Sequence, residues 1–248
     1  MPRRRRYWER QACYHITHRC HERRFLLRYA KYRDMYRQYL FEMAQRFNVR
    51  ILGWTITSNH IHLLITTGLR GSPCISQALQ FLHGEVAQHY NLQRKREGSF
   101  WTNRFHATKI QNGNHLRRCL LYIDMNMIRA GVVSDPRDWS HGSCHEIHSG
   151  RQRYLTVARD TLLNRLEMTD WDYFLNWYQM RLDEALEKQY YKKRQYCWSQ
   201  SIAVGDPDWL QAVTDTLGVK RVDIDQTSGG QDNLKIFFLR GQNGYKHS

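Results

Sequence analysis

The histidines at 60 and 62 flank Ile61 inside a run of β-branched and aliphatic residues, His60-Ile-His-Leu-Leu-Ile-Thr66. Strand side chains alternate faces with period two, so both imidazoles project from one face. That spacing suits two ligands on one metal ion. It suits equally a pair of structural histidines, each ring satisfied by a backbone carbonyl. Tyr122 and Asn126 stand four residues apart in a segment of helical periodicity, which gives one helical face a nucleophile and an oxygen ligand together. Taken alone, a tyrosine at that spacing is as well explained by packing. A third group, His141-Gly-Ser-Cys144-His145-Glu146-Ile147-His148, gathers several metal-ligand types in eight residues. It has no distant second pair to close a tetrahedral site, and it reads as a surface turn.

The elements that must position these groups follow from periodicity and punctuation. Residues 12–18 lean to strand, and 31–47 place Met35, Tyr39, Leu40, Met43 and Phe47 at helical spacing. Asn48 stops that helix. Val49 to Thr57 and His60 to Thr66 form a hairpin across Ser58-Asn59. Ser72-Pro73 leads into a helix from Ile75 to Tyr90, and Phe105 to Gln111 is a fourth strand. Asn114, an N-cap type, opens a helix through Leu116, Leu120, Ile123 and Met127 that ends near Gly131. The order β-α-β-β-α-β predicts an α+β, ferredoxin-like antiparallel sheet with helices on it. Past Pro136 the pattern turns helical, over Tyr154 to Leu166, Asp170 to Arg194 and Pro207 to Leu217, and Leu234 to Leu239 is one strand-like run. The predicted architecture is therefore the sheet domain plus a mainly helical C-terminal extension.

Composition narrows the function. The 248 residues carry 38 Lys+Arg against 23 Asp+Glu, a net +15 with the 13 histidines neutral. Residues 1–50 hold +10 of this and 51–110 another +4, which is a polyanion-binding balance. Hydrophobic residues at 41% exclude a disordered chain. The longest apolar stretches fall far short of the roughly 18 to 20 residues that span a bilayer, so no membrane role is expected. The basic start lacks the apolar core of a secretory signal, and a cytoplasmic protein is expected. Six cysteines at 13, 20, 74, 119, 144 and 197 include no Cys-x-x-Cys pair. Reduced thiols are expected rather than a zinc ribbon or redox centre.

Asn59-His60-Ile61-His62-Leu63-Leu64 resembles the His-hydrophobic-His motif of single-tyrosine HUH transposases, and Tyr122-Ile-Asp-Met-Asn126-Met-Ile-Arg-Ala-Gly-Val-Val133 resembles the tyrosine helix of their REP-associated branch. Ala12-Cys-Tyr-His-Ile-Thr17, Gly98-Ser-Phe-Trp-Thr-Asn-Arg-Phe105 and Ile202-Ala-Val-Gly205 are similar to further parts of that branch. The likeness covers residues 1 to about 145 well and the remainder loosely. Where the family has Met-Pro before Asn-His this chain has Thr57-Ser58, and where it has Asn-Pro-Val this chain has Asn126-Met127-Ile128. Neither departure removes a catalytic group.

The resemblance implies a catalytic domain over 1–150, an accessory region over 151–248, and cleavage and rejoining of single-stranded DNA near palindromic hairpins. Tyr122 would attack phosphorus to give a 5′-phosphotyrosine and a free 3′-hydroxyl. His60, His62 and Asn126 would hold Mg²⁺ or Mn²⁺. Arg3, Arg4, Arg5, Arg6, Arg23, Arg24 and Arg104 are candidates for phosphate contacts, and Trp101 and Tyr7 for stacking on bases. The expected partner is single-stranded DNA with a hairpin, the protein being a monomer or a homodimer and nucleoid-associated when bound. The alternative is a non-cleaving regulator that binds hairpin DNA or RNA on the same fold.

Overall fold

A computed structural model describes residues 8–67, 74–150, 154–189, 192–217, 222–228 and 235–241. Strand β1 (Cys13–Arg19) leads through a short 3-10 turn to α1 (Ala30–Phe47), followed by β2 (Val49–Ile56), β3 (His60–Thr67), α2 (Ile75–Gln93) and β4 (His106–Ile110). These four strands run in the order β2-β3-β1-β4, all antiparallel. This is the predicted ferredoxin-like arrangement. Among the described residues no helix is long and apolar enough to cross a membrane, and none of the six cysteines is in a disulfide.

Strand parity sorts the side chains between two cores. Ile16, Ile61, Leu63 and Ile65 pack under α1 and α2 with Tyr36, Leu40, Leu79 and Leu82. Cys13, Leu64 and Ile110 face the other way, toward α3 (Asn114–Asp124) with Leu116, Leu120 and Ile123. His60 and His62 share the parity of Leu64, so they fall on the α3 side, where Tyr122 lies. Close docking of that helix depends on Gly53 in β2, since a Cβ there would stand 2.6 Å from Leu120 Cδ1.

The helix carrying Tyr122 differs from expectation at both ends. Its N-cap is Gly113, with φ +69°, and Asn114 is already inside the helix. It stops at Asp124, and α4 (Asn126–Arg129) follows after a break at Met125. The Asn126 amide donates to the carbonyls of Tyr122 and Ile123, at 3.2 and 3.1 Å. A continuous helix would use those acceptors for backbone N–H groups, so the side chain competes with the ladder and interrupts it.

The 141–148 segment is not a surface turn. Residues Ser143–Ser149 form α5, with Ser143, Cys144, Glu146 and Ile147 buried against β2. Ser143 Oγ accepts the Trp54 N–H at 2.9 Å, and the Glu146 carboxylate takes the Trp54 indole N–H and the backbone N–H groups of Thr156 and Val157. These bonds repay the burial of a carboxylate that spacing alone assigns to solvent.

Beyond residue 150, α6 (Arg159–Leu166) and α7 (Trp171–Glu187) start later or end earlier than predicted, and α8 (Cys197–Gln200) is a single turn. Strand β5 (Ala203–Val204) pairs parallel with β4. After α9 (Pro207–Leu217), β6 (Val222–Ser228) and β7 (Lys235–Gly241) complete a seven-stranded sheet in the order β2-β3-β1-β4-β5-β7-β6. Only β7 was legible as a strand, because β6 holds just two apolar residues, Val222 and Ile224, and β5 is two residues long. Leu162, Phe174, Tyr178 and Trp198 from this part join the same core as Leu64 and Leu120.

Candidate active site

On the α3 side of the sheet opens a cleft of about 670 Å³ lined by His60 and His62 from β3, Tyr122 from α3, and Asn126 and Arg129 from α4. The four sequence-predicted catalytic and ligand residues thus converge. The two histidine rings stand 5.0 Å apart, and the Tyr122 ring lies 6.3 Å from His62. Tyr122 is 7% exposed, held edge-on to both His62 and His15 and tilted against Trp198.

Each histidine is fixed by its other ring nitrogen. Asn59 Nδ2 donates to the Arg23 carbonyl at 3.0 Å, which turns its Oδ1 toward His60 Nδ1 at 2.8 Å. Thr57 Oγ1 lies 2.9 Å from the same nitrogen. His60 Nδ1–H therefore donates, and Nε2 is left as a lone pair for a ligand. His62 Nδ1 lies 2.9 Å from His15 Nε2, and His62 Nε2 is buried with no hydrogen-bond partner. A buried, unpartnered imidazole nitrogen on the cleft wall is what a cation site requires of its ligand. Asn126 fits less directly: its Oδ1 accepts from Arg129 Nη1 at 3.1 Å, so a cation would share that oxygen with a guanidinium. Among the described residues no group of three His, Cys, Asp or Glu side chains could hold a metal.

The electrostatics are one-signed. Arg19, Arg23, Arg104, Arg129 and Arg194 line the cleft, and no carboxylate does among the described residues. Burial, then Arg194 and Arg23, push the Arg19 guanidinium down from its ordinary pKa. Burial, then Arg19, Arg194 and Arg129, hold His60 near 3, so it is neutral and able to coordinate at physiological pH. Burial raises the Tyr122 phenol above its usual value, against Arg129 and Arg194, which lower it. At rest the phenol keeps its proton. Asp124, on the far side of α3, is pushed up to about 7 by full burial, while Tyr178 and Ser143 donate to its carboxylate.

The expected DNA contacts divide. Arg23 and Arg104 line the cleft; Arg23 does so from strained backbone, with Glu22 and Arg23 both at positive φ. Arg24 lies outside the lining, exposed and paired with Glu22 at 2.7 Å. Trp101 is not a stacking platform. It is 8% exposed, its ring stacked on His18 at 4.4 Å and packed against Phe100, and its indole N–H donates to the His83 carbonyl. Arg3, Arg4, Arg5, Arg6 and Tyr7 lie outside the described residues.

Sequence reasoning passed over His15, Arg129 and Arg194. A signal existed for the first two. His15 shares strand parity with Cys13 and Thr17, and Arg129 lies seven residues after Tyr122, two helical turns on. Arg194 carried no local signal.

The profile described as "Transposase IS200 like" matches residues 9–126. Just under half of the chain is therefore similar to the IS200-like transposase family. Its fold is shared with a solved structure, "Structure of the REP associates tyrosine transposase bound to a REP hairpin", at 22% identity over 63% of this chain and 90% of that one, with a TM-score of 0.51. A Deinococcus radiodurans R1 protein aligns over 47% of this chain and 90% of its own at 16% identity and a TM-score of 0.34. No curated protein matches the chain significantly. The matched transposase segment contains His60, His62, Tyr122 and Asn126, and ends before Arg129 and Arg194.

Proposed function

We propose that this protein is a transposase that cleaves and rejoins single-stranded DNA beside a palindromic hairpin, with Tyr122 as nucleophile. The observation that carries this reading is the convergence in one cleft of a buried tyrosine, the unpartnered His62 Nε2, a His60 ring held through its Nδ1, and five arginines, with no carboxylate in the lining among the described residues. Backbone phosphates suit such a lining: guanidinium groups bind them by charge-assisted bonds. His60 and His62, with Asn126 as the third group, would hold Mg²⁺ or Mn²⁺. The ion would supply Lewis-acid charge neutralisation at the scissile phosphate.

In the forward step the Tyr122 Oη–P bond forms, the P–O3′ bond breaks, the phenolic proton leaves, and the 3′ oxygen gains a proton to end as a hydroxyl. Arg129 and Arg194 stabilise the phenolate as it develops, which offsets the burial that keeps the resting phenol protonated. Attack by another 3′-hydroxyl reverses the step and joins strands, since the phosphotyrosine conserves the phosphodiester bond. The solved relative's bound REP hairpin supports the hairpin as the DNA partner. A cytoplasmic protein with a C-terminal accessory region after residue 150 completes the reading.

The test is incubation with hairpin-bearing single-stranded DNA and Mn²⁺, followed by a denaturing gel. A covalent adduct is expected from the native protein and none from Tyr122→Phe, which keeps the ring and its packing. An adduct that survives in Tyr122→Phe assigns the chemistry to another residue.

A further inference from the structure

A backbone carbonyl can only accept a hydrogen bond. The Trp198 carbonyl in α8 lies 2.7 Å from His15 Nδ1, so that nitrogen carries a proton. His15 is fully buried, and its hydrogen-bond partners among the described residues are this carbonyl and another imidazole, with no carboxylate among them to compensate a charge. A neutral ring has one protonated nitrogen, so His15 Nε2 is a lone pair. The atom 2.9 Å from that lone pair is His62 Nδ1, which must donate. The rings lie nearly parallel, 5.1 Å apart, because His15 on β1 is opposite Leu64 and therefore diagonal to His62. His62 is thereby left with an unprotonated Nε2, buried and unpartnered on the cleft wall. The opposite tautomer would set two lone pairs against each other across 2.9 Å and bury an unsatisfied N–H.

We propose that His15 is a positioning residue that locks His62 in its ligand-ready tautomer, anchored by the Trp198 carbonyl. The inference rests on His60 and His62 as cation ligands. It goes further in assigning a residue of β1 and a peptide group of the C-terminal region, outside the matched family segment, to the preparation of that ligand. His60 is prepared separately, by Asn59 and the Arg23 carbonyl. The site thus has two independent anchors.

The primary test is histidine tautomer assignment in the metal-free full-length protein, by long-range proton–nitrogen correlation on ¹⁵N-histidine label. His62 is expected to carry its proton on Nδ1. His15→Phe keeps ring volume but removes the acceptor, and should move His62 toward the Nε2–H form. It should also weaken Mn²⁺ uptake by the hairpin-DNA complex by roughly 10- to 100-fold, the usual effect of losing an outer-shell partner, read in the Tyr122→Phe background so the DNA stays intact. His15→Gln can donate to the Trp198 carbonyl and accept from His62, and should restore most of that loss. A native His62 protonated on Nε2, or a His15→Phe protein with unchanged tautomer and Mn²⁺ affinity, overturns the relay. If His15→Phe does not fold, the native tautomer and the His15→Gln titration still decide it. A native complex that takes up no Mn²⁺ while His62 keeps Nδ1–H overturns the metal reading of the site and not the His15–His62 relay.

Discussion

The guanidinium carbon of Arg129 lies 4.5 Å from the centre of the Tyr122 ring, while the same group donates to Asn126 Oδ1. One cation therefore touches both the proposed nucleophile and the amide proposed as the third metal ligand. Arg129→Ala should lower single-turnover cleavage by on the order of 10² to 10³-fold, in the range found for removing one preorganised charge-stabilising donor. Hairpin affinity should change far less. A cleavage rate equal to that of the native protein would remove Arg129 from the chemistry.

Arg194 extends the argument to the C-terminal region. It lowers both the Tyr122 phenol and the His60 imidazole, and it lies outside the segment shared with the family profile. Arg194→Ala should slow cleavage and flatten the salt dependence of single-stranded DNA binding by roughly 0.7 in log–log slope, the value for one phosphate contact. An unchanged slope with an unchanged rate would make Arg194 a bystander at the cleft rim.

The proposed cation site, with two imidazoles, one amide and five arginines around it, lacks among the described residues the negative charge that divalent ions ordinarily require. Backbone phosphate supplies it. Mn²⁺ should therefore bind more tightly to the hairpin complex than to free protein, by roughly 5- to 150-fold, and the DNA should gain the same factor from Mn²⁺. Titrations in both orders check the reciprocity. Equal Mn²⁺ affinity with and without DNA would show that the phosphate takes no part.

Gly53 lets α3 sit close to β2, with Leu120 Cδ1 in the space a Cβ would claim. Leu120 is itself fully buried and cannot swing into solvent. Gly53→Ala should cost about 1 to 3 kcal/mol, the usual range for overpacking a core. Urea unfolding measures it. Because α3 carries Tyr122, single-turnover cleavage should fall as well, and an unaltered urea midpoint would mean the helix accommodates the methyl group.

His141 supplies a pH dependence away from the cleft. It is buried, with Asp34 Oδ1 3.0 Å from its Nε2. Burial first, then Arg33, lowers its pKa, outweighing Asp34, which raises it. The unfolded chain then binds a proton near pH 6.5 that the folded protein resists. Stability is full above that pH and declines as pH falls below it. His141→Gln should reduce the loss of unfolding free energy between about pH 7 and pH 5 relative to native protein, 6.5 being the ordinary histidine value. Identical pH slopes for the two proteins would contradict the assignment.

Local spacing was enough for the hairpin that aligns His60 with His62, for the order of the first four strands and three main helices, and for the pairing of Tyr122 with Asn126. Each follows from period-two or period-3.6 burial within a few residues of chain, which a sequence states directly. Three-dimensional packing decided the rest. Trp101 reads as an exposed stacking ring until His18 and Phe100 cover it, and Glu146 reads as solvated until Trp54, Thr156 and Val157 supply its bonds. The α3 helix breaks at Met125 because one asparagine side chain takes two carbonyls. Above all, residues 15, 62, 122, 129, 194 and 198 meet only because β1 lies between β3 and β4 and the C-terminal helices fold back onto the same face of the sheet. Contacts across more than a hundred residues depend on strand order and helix docking, and those are chosen by the summed burial of the whole core rather than by any spacing along the chain.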